Sequence, residues 1–316
     1  MFKRKLPDED YHRFAGIEVK KASVGNDGEK IACHVSGRLD DRRAPLVCLA
    51  DYYRNMADFA GFINRFRIVC DIDWPIVLID LAGRGRSDDR RHVSRYTTAN
   101  DAVDVMNIAT MLGIEKAVFL GQGHGGRVIM SLGGINSNLI CASILIDSAP
   151  LLFAPGLVRL RDNLSTLTEL KNPGHFLIAA KKIFALSHPN ASDEQVVQIV
   201  EAAFFRSRSG RYLPIFDQAL IAKLAGIEIS DVFEAQWPLF ATLNNAPMML
   251  MRTRLSDQLE KSTFEHMGNL RSDAVQLVIE NQGSPALLTD DDEVGAIADF
   301  VRHSSKLAGC RAIVSG

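Results

Sequence analysis

The chain has 316 residues, with 36 Lys and Arg against 38 Asp and Glu, a formal net charge of −2 and a hydrophobic fraction of 47%. This composition can bury a substantial core, and the near-neutral balance gives no electrostatic basis for binding nucleic acid or an anionic membrane surface. No apolar run approaches the roughly 20 residues of a membrane span, and the opening MFKRKLPDEDYHRF has basic residues with no apolar stretch behind them, so neither a membrane association nor a secretory signal is expected.

Residues from about Gly16 to Val35 alternate in polarity around Gly25-Asn26-Asp27-Gly28, which predicts an antiparallel hairpin at a sheet edge. Short apolar runs follow: PLVCLA from Pro45, PIVLID from Pro75, AVFLGQ from Ala117, CASILID from Cys141, PMMLMR from Pro247 and VQLVIE from Val275. Each has the length of a strand, and near-continuous apolarity predicts strands covered on both faces, as in a parallel sheet between helix layers. Between them lie segments with apolar residues three or four apart, such as Ala102, Val103, Met106, Ile108, Ala109 and Leu112, with Gly113 placed to end that helix. This alternation predicts an α/β fold with right-handed crossovers.

From Leu151 to Gln236 the strand pattern stops, and HFLIAAKKIFAL and SDEQVVQIVEAAFFR predict helices, the second capped by Ser192. The expected organisation is a core formed by 1–150 and 237–316, with 151–236 as a helical lid. Such an insertion covers the carboxyl ends of the strands, where ligands bind. The five cysteines (Cys33, Cys48, Cys70, Cys141, Cys310) are odd in number and scattered, a pattern that fits reduced thiols and a cytoplasmic location.

AVFLGQGHGGRVIM reads as a strand, a glycine-rich turn and a helix, with the spacing G-x-nucleophile-x-G-G. Upstream lies Asp80-Leu81-Ala82-Gly83-Arg84-Gly85-Arg86-Ser87-Asp88, preceded by Arg54-Asn55; downstream comes Arg252-Thr253-Arg254-Leu255-Ser256-Asp257. In this order the motifs make the chain resemble the α/β-hydrolase superfamily from about Lys20 to Val301, particularly small bacterial hydrolases carrying D-L-R-G-R-G-R-S-D. The resemblance implies an α/β-hydrolase fold: a mostly parallel eight-stranded sheet with helices on both faces and a helical lid insertion. A dinucleotide-binding loop also uses glycines after a strand, but there the turn follows the first strand, and here it follows the fifth.

The resemblance further implies a nucleophile at the elbow, a histidine base, an acid that orients it and backbone donors for an oxyanion. The nucleophile position is Gly123, which has no side chain to attack a carbonyl. The family's G-H-x-P after the eighth strand reads Gly283-Ser284-Pro285, so Ser284 stands at the histidine position, and no histidine lies between His266 and His303. The acid position is kept as Asp257; with nothing to orient, its default role is a polar loop residue capping the next helix. The oxyanion turn, often P-G-L-T-R-N, reads Ala50-Asp51-Tyr52-Tyr53-Arg54-Asn55, and Asp51 sets a carboxylate where negative charge would develop. Glycine at the elbow without a hydrolytic triad also resembles the N-myc downstream-regulated family.

The leading reading is therefore a pseudoenzyme without serine chemistry. Its ligand pocket is expected at Asp51, Tyr52, Tyr53, His124, Asp257 and Ser284, with a small organic ligand or a protein as partner. The alternative is an enzyme acting on a small organic substrate, either a hydrolase with a relocated nucleophile or a lyase or oxygenase working through His124. A third reading is a structural subunit with a collapsed pocket. His124 is expected to line the pocket rather than act as a base, because a base wants an orienting partner. Ser284 and Ser148 are expected in turn and packing roles. The scattered histidines lack ligand spacing, so no metal and no cofactor are expected. Arg84, Arg86, Arg90 and Arg91 interleave with Asp80, Asp88 and Asp89, predicting a local ion-pair network. Phe176, Phe184, Phe204 and Phe205 recur at helical spacing and are expected to pack the lid onto the core.

Overall fold

The computed structural model describes residues 4–24, 28–40, 42–70 and 72–307. Gly25, Asn26 and Asp27 of the hairpin turn, and Cys310, lie outside the described residues. The hairpin strands are β1 (Lys20–Ser23) and β2 (Lys30–Ser36), paired antiparallel with Lys20 opposite Cys33. The apolar runs form β3 (Leu46–Leu49), β4 (Ile76–Asp80), β5 (Ala117–Gln122) and β6 (Ile140–Ile146), all wholly buried. Between them run α1 (Ala60–Cys70), α2 (Thr98–Met111) and α3 (His124–Asn136). Gly113 ends α2 as predicted: its φ is +69° and its N–H donates to Thr110 O at 3.1 Å.

The segment after β6 contains α4 (Ala154–Glu169), α5 (Pro173–Ser187), α6 (Asp193–Ala203), β7 (Phe204–Arg206), β8 (Tyr212–Pro214) and α7 (Ala219–Lys223). Ser192 caps α6 in a reciprocal capping box with Gln195. One expectation fails here, because the insertion is not wholly helical. The helix stops at Ala203, and Phe204-Phe205-Arg206 pairs antiparallel with Tyr212-Leu213-Pro214. Adjacent phenylalanines favour a pleated, half-buried surface, and Gly210 at φ +85° lets the chain turn back. The chain then continues through α8 (Trp237–Ala241), β9 (Met248–Thr253), α9 (Lys261–Leu270), β10 (Val275–Ile279) and α10 (Asp291–Leu307).

The large sheet has the order β1-β2-β4-β3-β5-β6-β9-β10; β1, β2 and β4 pair antiparallel and the remaining pairs are parallel. Alternate residues of each strand serve opposite faces. Leu46, Cys48, Ile76, Leu78, Val118 and Leu120 pack with Phe62 and Phe66 of α1 and with Val294 and Ile297 of α10. Val47, Leu49, Val77, Ile79 and Phe119 pack with α2 and α3 through Ala102, Val105, Ile108, Val128 and Ile129. β10 departs from the fully covered pattern: Val275 and Gln276 are exposed, because this edge strand pairs only with β9. Among the described residues no helix is long and apolar enough to cross a membrane.

The chain leaves β3 towards β4 on one side of the sheet and then crosses to β5 on the other. The loops after β3 and β5 therefore diverge from adjacent strand ends, and a crevice opens between them. The inserted segment is fastened over it. Arg54 Nη1 donates to Ile199 O at 3.0 Å, Asn55 Nδ2 to Ala202 O at 2.6 Å and Tyr52 Oη to Leu220 O at 3.0 Å. Phe176, Phe184 and Phe204 are buried with Tyr53 and Tyr96 of the core, whereas Phe205 joins Phe14 and Ile215 in a separate cluster.

Glu293, 5% exposed in the first turn of α10, accepts from Thr289 N at 2.8 Å and from Gln282 Nε2 at 3.2 Å. Burial pushes its pKa up to about 7. A carboxyl whose folded pKa lies above its unfolded value near 4.5 binds its proton more tightly in the native state, so stability falls as pH rises between those values. Melting temperatures measured from pH 5 to pH 8 are expected to decline, and Glu293→Gln is expected to flatten that decline. An unchanged slope in the variant counts against this assignment.

Candidate functional site

Gly123 joins the end of β5 to the start of α3 with φ 47° and ψ −109°, a sharp left-handed turn. A β-carbon at this position would stand 2.0 Å from Asp51 Oδ1 and 2.6 Å from Gln258 Oε1. The space above the turn is thus filled by a carboxylate from the loop after β3. Asp51 Oδ1 accepts the His124 N–H at 2.8 Å, and Oδ2 accepts Gln258 Nε2 at 2.5 Å. His124 is the first residue of α3, so the carboxylate takes up a backbone donor at the positive end of that helix. Asp51 is 3% exposed; these two donors, with the nearby positive charge of Arg127 on α3, offset its loss of water.

Beside the turn lies a cleft of about 50 Å³ lined by Asp51, Tyr53, Leu164, Phe184, Asp257 and Ser284, among others. That is room for a water or two, against the roughly 300–1,000 Å³ of ordinary small-molecule pockets. Four of the six expected pocket residues meet there. Tyr52 and His124 do not line it: Tyr52 bonds to Leu220, and the His124 imidazole turns towards α2. Asp257 is 26% exposed and lies 3.4 Å from Arg159 Nη1. Burial raises its pKa, Arg159 opposes the rise, and the charges of Asp51 and Asp147 add to it. It does not cap the next helix, whose N-cap is Glu260; the neighbouring Ser256 Oγ instead accepts from Gln258 N and Leu259 N at 3.3 and 3.2 Å.

Ser284 Oγ donates to Asp147 Oδ2 at 2.6 Å. Asp147 directly follows β6 at φ +48° and also accepts from Thr253 N at 2.9 Å and Thr253 Oγ1 at 2.5 Å. Sequence reading missed this residue, although an aspartate ending the apolar run CASILI was a visible signal. Burial raises its pKa, and the hydroxyls of Ser284 and Thr253 counter that rise. Ser148 Oγ is buried without a hydrogen-bond partner among the described residues, packed against Gly126 of α3.

His124, 6% exposed, has the orienting partner that the sequence did not reveal: its Nε2 lies 2.9 Å from Asp101 Oδ2 on α2. An ionised carboxylate only accepts, so Nε2 carries the proton. Burial lowers the pKa of His124; the Asp101 hydrogen bond opposes this, and Arg84 and Arg127 reinforce it, so the ring is held neutral. Asp101 also receives Arg90 Nη2 at 2.9 Å and Arg84 Nη1 at 3.4 Å, while Arg90 Nη2 reaches Asp104 at 2.7 Å. Burial alone would raise the pKa of Asp101, but Arg84, His124 and Arg90 outweigh it and hold it below the usual range.

The arginine loop therefore pairs differently from the local network expected of its sequence. Asp80 accepts the backbone N–H groups of Met56 and Arg86, both at 2.8 Å; Asp88 accepts Lys30 N at 3.0 Å; Asp89 lies 3.1 Å from Arg4. Gly85 permits this at φ +53°, where a β-carbon would fall 2.1 Å from Asp80 Oδ2. The loop folds tightly over Asp80 and sends Arg84 and Arg90 inward to α2. Among the described residues, no group of three His, Cys, Asp or Glu side chains is placed to hold a metal ion.

No family model matches the chain. A 3-hydroxybutyrate-oligomer hydrolase of Cupriavidus necator is 29% identical over 117 residues, 36% of this chain and 37% of that protein. A 2-succinyl-6-hydroxy-2,4-cyclohexadiene-1-carboxylate synthase of Pectobacterium atrosepticum is 36% identical over 89 residues, 27% of this chain and 30% of that protein. The chain thus spans about a third of the length of these curated relatives. An α/β hydrolase from Novosphingobium aromaticivorans superposes with a TM-score of 0.77 at 23% identity, covering 90% of this chain and 98% of its own. E-2-(acetamidomethylene)succinate hydrolase gives 0.73 at 16% identity, covering 90% and 99%. The chain has the α/β-hydrolase fold.

On this α/β-hydrolase fold the turn after β5 carries no side chain, the adjoining backbone donor is occupied by Asp51, and Ser284 is bonded to Asp147. The Ser284 hydroxyl and the Asp51 and Asp257 carboxyl groups set hydrogen-bonding atoms around the small cleft. The His124–Asp101 pair can hold a neutral imidazole in one orientation.

Proposed function

We propose that this chain is a pseudoenzyme: an α/β-hydrolase-fold protein without serine-hydrolase chemistry, whose lidded cleft takes a small organic ligand or whose surface engages a protein partner. The observation that carries the reading is the Asp51 carboxylate seated over Gly123 and bonded to the His124 N–H. Acyl transfer needs a nucleophile at that point and free donors for the developing oxyanion. Here the nucleophile's place holds the Asp51 side chain, and its Oδ1 uses the donor. The cleft as it stands admits only a water or two, so binding a larger ligand requires α4 and α5, which line it, to move.

Turnover of p-nitrophenyl acetate is expected at the buffer rate, and a fluorophosphonate probe is expected to label no residue. Stoichiometric labelling of one serine, read by intact mass, overturns the proposal. Native mass spectrometry of the purified protein then tests for a retained small molecule. A second reading, an enzyme working through His124, is favoured by the Asp101 pairing and disfavoured by an imidazole that does not line the cleft. If an activity is found, the second reading requires His124→Ala to lower it by orders of magnitude with the fold intact, and an unchanged rate removes that reading.

A further inference from the structure

A second cleft, about 220 Å³, opens on the other side of Pro285 between α1, α6 and the loop before α10. Its walls include Arg13, Arg54, Asp58, Asn64, Gln198 and Thr289. Two of the three charges cancel: Arg54 grips Asp58 with both Nε and Nη2, at 2.7 and 2.5 Å, and spends Nη1 on Ile199 O. Arg13 is left over. Its part-exposed guanidinium lines the cleft wall and forms no salt bridge among the described residues. Glu201, the carboxylate on neighbouring α6, is held by His12 Nε2 at 2.9 Å and does not line the cleft.

We propose that this cleft binds a small organic carboxylate through Arg13. A guanidinium at the wall without a counter-charge matches the planar, two-oxygen geometry of a carboxylate. Asn64 and Gln198 place amide groups in the same cleft, suited to hydroxyl or amide substituents on the ligand. The volume fits a ligand of a few heavy atoms. The elbow cleft is the wrong place for the same molecule, because Asp51 and Asp257 line it and would repel an anion. The proposal stands independently of the function proposed for that cleft.

Titration calorimetry with sodium lactate and with lactamide, its neutral isostere, tests the idea. Lactate is expected to bind in the millimolar range, as suits so small a ligand, and lactamide at least tenfold more weakly. Arg13→Gln is expected to weaken lactate at least tenfold with an unchanged melting temperature. Asn64→Phe, at an exposed α1 position that lines this cleft and not the elbow cleft, is expected to block binding by bulk. No lactate binding, equal binding of lactamide, or binding retained in either variant overturns the proposal. Should Arg13→Gln fail to fold, Asn64→Phe and the lactamide comparison decide it alone.

Discussion

Gly123→Ser, the substitution that would nominally restore a nucleophile, is expected to lower the melting temperature by about 5 °C and to leave ester hydrolysis at the buffer rate. The new β-carbon would lie 2.0 Å from Asp51 Oδ1, so Asp51 must swing away. It then gives up the His124 N–H and Gln258 bonds that make its burial tolerable. Loss of charge-assisted bonds at a buried carboxylate costs about 2–3 kcal/mol, and in a chain of this size each kcal/mol shifts melting by about 2 °C. Removing the obstruction should reverse the loss. Asp51→Ala combined with Gly123→Ser is expected to melt above Gly123→Ser alone, with a coupling of at least about 1 kcal/mol in a double-mutant cycle. A single Gly123→Ser variant as stable as the native chain, or one that turns over esters, would show that Asp51 does not obstruct the turn.

Asp101→Asn is expected to be the more damaging change, lowering the melting temperature by about 8 °C at neutral pH. Asp101 is 0% exposed and faces Arg84, Arg90 and His124. Without its charge, Arg84 loses its carboxylate partner and Arg90 keeps only Asp104, and removing one partner of a buried ion pair typically costs about 3–5 kcal/mol. The pH dependence follows from the depressed pKa of Asp101. A carboxyl whose folded pKa lies below its unfolded value stabilises the native state above that unfolded value, near 4, and loses the contribution as pH falls through the folded value. The gap between native and Asp101→Asn chains should therefore be full at pH 6–7 and narrow below about pH 4. Thermal melts of both chains across that range check it; a gap under 2 °C at neutral pH refutes the network's role.

The apolar runs from Pro45 to Val275 located six strands to within about a residue. Five of them, β3, β4, β5, β6 and β9, are near-continuously apolar because they are covered on both faces, whereas the edge strand β10 is part-exposed. The glycine spacing around Gly123 located the strand–turn–helix junction because few sequences tolerate that turn. Partners of charged side chains were not legible in the same way. The arginine loop suggested Asp80, Asp88 and Asp89 because they are adjacent in sequence; the fold spends those carboxylates elsewhere and sends Arg84 and Arg90 to a helix that begins at Thr98. Nothing at Asp101 itself announces an ion pair or a hydrogen bond to His124. The hairpin β7–β8 was hidden because a run of three residues is too short for its period to be read.

The sequence alone determined that the elbow has no side chain, that no imidazole lies in the loop after the eighth strand of the sheet, and that the chain alternates strand and helix. These are properties of residue identity and local period, fixed before the chain folds. Tertiary structure alone decided that Asp51 caps the elbow, that Ser284 answers to Asp147 rather than Asp257, that His124 faces Asp101, and that Arg13 is left without a counter-charge beside a second cleft. Each of these depends on which loop ends converge across the crossover between β3 and β5 and under the inserted helices. That convergence is set by packing between residues far apart in the chain, on which local sequence carries no information.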